Sequence, residues 1–89
     1  MAILDRDTSP TRTRLAADAT AIGHAVLEGD FEEARFRAQL LRSQADDLGL
    51  AGVANAALRV MLLLPADHSR PERGIGVAVL RLRDSLVGR

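Results

Sequence analysis

Eighty-nine residues are enough for one domain, and twelve arginines against twelve acids, with no lysine, leave no formal net charge. Without a basic excess or stripe there is no footprint for a nucleic-acid backbone, and that class of partner is not expected. The absence of cysteine excludes a disulfide framework, a thiolate metal site and a thiol nucleophile.

The only aromatics are Phe31 and Phe36, so the core must be built from Ala, Leu, Val and Ile. Small alanines let helices approach closely, which points to packed helices. The opening "MAILDRDTSP" holds acids and no apolar run of signal-peptide length. Nowhere do eighteen consecutive apolar residues occur. A cytoplasmic protein without a membrane partner is the expectation.

The first predicted helix starts at Ser9 as N-cap with Pro10 as first helical residue, and runs to about Glu28. Residues 1–8 are then a flexible N-terminus and 9–87 the single domain. The apolar stripe is Leu15, Ala19, Ile22 and Val26, and Gly29 suits a left-handed C-cap.

Asp30 opens the second helix, with Glu33 three residues on completing a capping box. Its inward stripe is Ala34, Ala38, Leu41, Ala45 and Leu48, and Gly49 ends it. The third helix runs from about Leu50 to Leu64, presenting Leu50, Val53, Ala54, Ala57, Met61 and Leu64, and Pro65 closes it.

After the polar loop "ADHSR", Pro71 begins the fourth helix, with Ile75, Val79, Leu82 and Leu86 as its stripe. "GIGVAVLRL" would also suit a strand, but a lone strand has nothing to pair with, so helix is favoured. Four amphipathic helices on short loops predict an all-α fold, an antiparallel four-helix bundle.

In the second helix Ala38, Gln39, Leu41, Arg42, Ser43, Leu48 and Gly49 stand in register with the pattern A-H-x-L-K-G-x-x-x-x-L-G. The upstream "GDFEEA" and the spacing of the third helix fit the same scheme. On these residues the stretch from Asp30 to Val53 resembles histidine phosphotransfer (Hpt) domains, the four-helix relays of two-component signalling. With length and helix order included, the likeness spans roughly residues 14 to 87.

The resemblance implies a helix that docks the receiver domain of a response regulator, or a histidine kinase, around a phosphoryl-carrying histidine. That position is Gln39 here, a degenerate phosphoacceptor. An amide nitrogen has its lone pair delocalised into the carbonyl and cannot carry the phosphoryl group. Arg42 stands for the family's lysine, keeping the charge but not the geometry. Ser43 stands for its glycine and is still small. The implied function is therefore not enzymatic: a phosphotransfer-incompetent binder that inhibits, buffers or scaffolds a pathway.

Helical spacing adds that Gln39 shares a face with Glu32, Arg35, Arg42, Ser43 and Asp46, away from the alanine stripe. Phe36 and Leu40 fall beside it, off the stripe. Partner contact is thus assigned to Phe36, Gln39, Leu40, Arg42 and Ser43, with Leu62 and Leu63 of the third helix extending the apolar patch. Leu27, Val77 and Leu80 are also off-stripe, so a homodimer, or a structural helical module without a signalling role, is an alternative.

A phosphocarrier using His24 or His68 is a further alternative. His24 lies on the outer face of the first helix, where Glu28 one turn away would repel phosphate. His68, beside Asp67, Ser69 and Arg70, makes no triad by adjacency alone and is expected to help cap the fourth helix. No metal or cofactor is expected: a metal at His68 would want a second histidine or a carboxylate cluster at helical spacing, and Asp67 beside it is not enough, while "GIG" lacks the spacing and the lysine of a phosphate loop. Asp46 and Asp47, closing a helix against its dipole, are expected to be solvated.

Overall fold

The computed structural model describes residues 3–64 and 72–87 of the chain. These form four α-helices and no strand: α1 (Ile3–Leu27), α2 (Phe31–Asp47), α3 (Ala51–Leu62) and α4 (Ile75–Val87). Each helix packs on the next and α4 closes against α1, while the backbones of the diagonal pairs α1–α3 and α2–α4 do not come close. The helices therefore occupy the corners of a square, with α2 and α4 opposite. Pro65, the loop with His68 and Pro71 itself lie outside the described residues, but the fourth helix starts later than expected: residues 72–74 are not helical, Gly74 takes a left-handed φ of 90°, and α4 begins at Ile75.

Two turns of one design set this order. Gly29 (φ 78°) and Gly49 (φ 75°) adopt the left-handed conformation that ends a helix without steric cost. Gly29 N–H donates to the Val26 carbonyl and Asp30 N–H to that of Ala25; Gly49 and Leu50 repeat the pattern onto Asp46 and Ala45. These are Schellman motifs. In both, the residue after glycine is already the N-cap of the next helix, so the chain reverses with no spare residue.

The economy of this turn explains why the capping box at Asp30 is half formed. The Asp30 carboxylate accepts from Glu33 N–H at 3.3 Å. The return bond is absent because Asp30 N–H is spent on Ala25. Glu33 instead accepts from Arg37 Nε at 2.6 Å, one helical turn on. Leu50, capping α3, has no polar side chain to offer; it packs half-buried against the core.

The start of the first helix differs from expectation. Ser9 is not its N-cap, because the backbone is helical from Ile3, and Pro10 falls inside α1. Proline favours a first turn because it lacks an N–H. Here the helix passes through it and forgoes that hydrogen bond.

The core is aliphatic, with Leu15, Ile22, Leu41, Val60, Leu64 and Leu82 almost wholly buried. Ala34, Ala38 and Ala45 expose nothing, so α2 lies close against its neighbours. Ala25, Val60 and Ala78 join the core beyond the predicted stripes, while Val26, Met61, Ile75 and Val79 are only half-buried. The helical stripes are broader than a single line of positions three and four apart. Leu48, predicted inward, is 51% exposed. It is the C-cap of α2, where the chain has left the path that sets helical periodicity.

Arg35 supplies the main polar tie across helices. Its Nε donates to the Leu64 carbonyl at 3.2 Å, at the end of α3 where carbonyls lack helical partners. Glu72 N–H takes the adjacent Leu63 carbonyl at 2.9 Å. Arg35→Ala is expected to destabilise the bundle by about 1 kcal/mol in urea unfolding, through a lost charged hydrogen bond at a helix C-terminus. Arg35→Lys should restore only part of this, since it keeps the charge and not the planar donor.

Candidate docking face on α2

Ala34, Ala38, Leu41 and Ala45 define the direction in which α2 faces the core. At about 100° per residue, Phe36 and Ser43 point nearly opposite to that direction. Gln39 and Leu40 lie about 130° from it on either side. Phe36 is 56% and Leu40 47% exposed; Gln39 and Ser43 are also exposed, and Arg42 is half-buried. The result is one outward surface with an apolar half, Phe36 and Leu40, and a polar half, Gln39, Arg42 and Ser43.

Arg35 shows which neighbour each half faces. It lies on the same side of α2 as Gln39 and Arg42 and reaches the end of α3. Its place is thus a corner tie rather than the open surface assigned from periodicity. The polar half borders α3, and Leu40 lies on the side toward α1.

Leu62 and Leu63, expected to extend that apolar half, lie at the C-terminal end of α3. Both line a groove between α3 and α4 together with Leu58, Arg73, Val77 and Arg81, and no α2 residue contributes to its walls. Leu62 is 72% exposed, while Leu63 packs partly against the core. A second groove, almost wholly apolar, runs between α1 and α4 and includes His24, Leu27, Val77 and Leu80. Sequence periodicity marks these residues as outward but cannot assign them to one groove or another.

The side chains on the outer face of α2 offer apolar contact and hydrogen bonding. The Gln39 carboxamide donates and accepts hydrogen bonds but offers no nucleophilic lone pair. The Ser43 hydroxyl has no hydrogen-bonded base to activate it among the described residues. No described polar side chain is buried, and no described group of three His, Asp or Glu is placed to hold a metal ion. No described helix is long and apolar enough to cross a membrane. His24 is exposed on α1, and His68 lies outside the described residues. No known protein family, curated protein or solved structure matches this chain, so the role of the α2 face rests on its own chemistry.

Proposed function

We propose that this chain is an Hpt-like binding protein that docks the receiver domain of a response regulator on the outer face of α2 and relays no phosphoryl group. The observation that carries the reading is the exposure of Phe36 and Leu40 beside Gln39, in the register of a phosphoacceptor helix whose histidine is missing. The apolar pair is the anchor, and Arg42 and Ser43 supply charge and hydrogen bonding around it. A histidine kinase is the other partner such a face would fit. By occupying a receiver's docking surface, the bundle competes with a true phosphocarrier.

The test is a binding titration against receiver domains from the same genome, phosphorylated and unphosphorylated. Saturable binding to one receiver is expected, weakened about tenfold or more by Leu40→Arg, which places a charge in a desolvated contact. No binding across a panel of well-folded receivers would overturn the reading.

A further inference from the structure

A different surface, the outer face of α4, carries an inference that does not depend on the α2 face. Val77 and Leu80 are 55% and 52% exposed at its middle. Arg73 is exposed in the turn that leads into α4, and Asp84 is exposed near the helix's other end. Neither has an ion-pair partner among the described residues.

Counted along the chain, these four residues are symmetric. Arg73 and Asp84 lie equally far along the chain from the midpoint between Ala78 and Val79, and so do Val77 and Leu80. A surface with a cation at one end, an anion at the other and an apolar middle is its own complement when turned end for end. That is the requirement for a two-fold interface.

We infer that the chain forms a homodimer by antiparallel pairing of α4 with α4 of a second copy. Val77 packs on Leu80 of the partner subunit, and Arg73 pairs with Asp84 of the partner subunit at both ends. The same register sets Arg81 opposite Gly76 and Arg83 opposite Gly74. The remaining arginines thus do not face one another, and Gly76 leaves open space where a Cβ would meet nothing. Leu27, 85% exposed at the end of α1, lines the adjoining groove with Val77 and Leu80 and widens the apolar contact. Since α2 and α4 occupy opposite corners of the square, the dimer leaves both α2 faces free and can hold two partner molecules.

The test is sedimentation of the full chain from micromolar to near-millimolar concentration, with helix content checked by circular dichroism. A concentration-dependent dimer is expected. Arg73→Glu alone or Asp84→Arg alone should weaken it about tenfold or more, because each makes both end pairs repulsive. Mixing the Arg73→Glu chain with the Asp84→Arg chain should restore association, since every end pair in the mixed dimer is again opposite in sign. A chain that stays monomeric, single changes without effect, or a mixture that does not recover would each overturn the inference. Leu40→Arg should leave the dimer intact, so the α2 and α4 assignments fail separately.

Discussion

Leu41→Ala is expected to remove about 2–5 kcal/mol of stability, whereas Leu40→Ala should change it by less than about 1 kcal/mol. The two leucines are adjacent in sequence and so point about 100° apart around the helix, one into the core and one off it. Leu41 exposes nothing to solvent and Leu40 is 47% exposed. Truncating Leu41 loses the transfer free energy of its methyl groups and leaves a cavity walled by helices that cannot fully collapse onto it. A domain of this size is stable by roughly 4–13 kcal/mol in all. Leu41→Ala should therefore lower the thermal midpoint by about 10 °C or more. Equal losses at both positions in urea unfolding would mean that α2 does not present the register on which its outer face depends.

The second large effect is a gain. Gln39→His puts an imidazole nitrogen where the amide has none, at a position already exposed and flanked by Arg42 one turn on. If the face docks a receiver as proposed, the phosphoryl group of the receiver's aspartyl phosphate passes to that nitrogen, and the aspartate carboxylate is regenerated. The expected result is acid-labile phosphorylation of the Gln39→His chain, absent from the parent chain. It should persist when His24→Ala and His68→Ala are added to the same variant, which fixes the label at position 39. A variant that binds the receiver yet takes up no phosphoryl group would show that the face does not present this position to the aspartate.

How far the sequence went depends on which physical rule governs each residue. The α2 stripe of Ala34, Ala38, Leu41 and Ala45 was legible because burial repeats with the helix. Gly29 and Gly49 were legible as turns because only glycine takes that conformation cheaply. The fourth segment, rich in glycine and β-branched residues, is a helix, and the described residues hold no strand for it to join. Pro10 misleads because its preference for a first turn is local and the helix continues through it. Leu48 misleads because periodicity stops one residue before it.

The outer surface was less legible than the core. Position around one helix is written in its own spacing, and that placed Gln39, Leu40 and Phe36 outward. Which helix lies beside each of them is not, since it depends on how the turns set neighbouring helices. Arg35 turns out to tie down the end of α3, because a long side chain reaches a carbonyl 29 residues away. Leu62 and Leu63 belong to the α3–α4 groove for the same reason: the third dimension decides their company.

The central claim is that the outer face of α2 is where a receiver domain binds. It is tested most directly by following the backbone amides of the isotope-labelled chain by NMR while that receiver is added. The account predicts that the largest shifts fall at Phe36, Gln39, Leu40, Arg42 and Ser43, with α4 little changed. Shifts centred on Val77, Leu80 and the α1–α4 groove, with α2 silent, would contradict it.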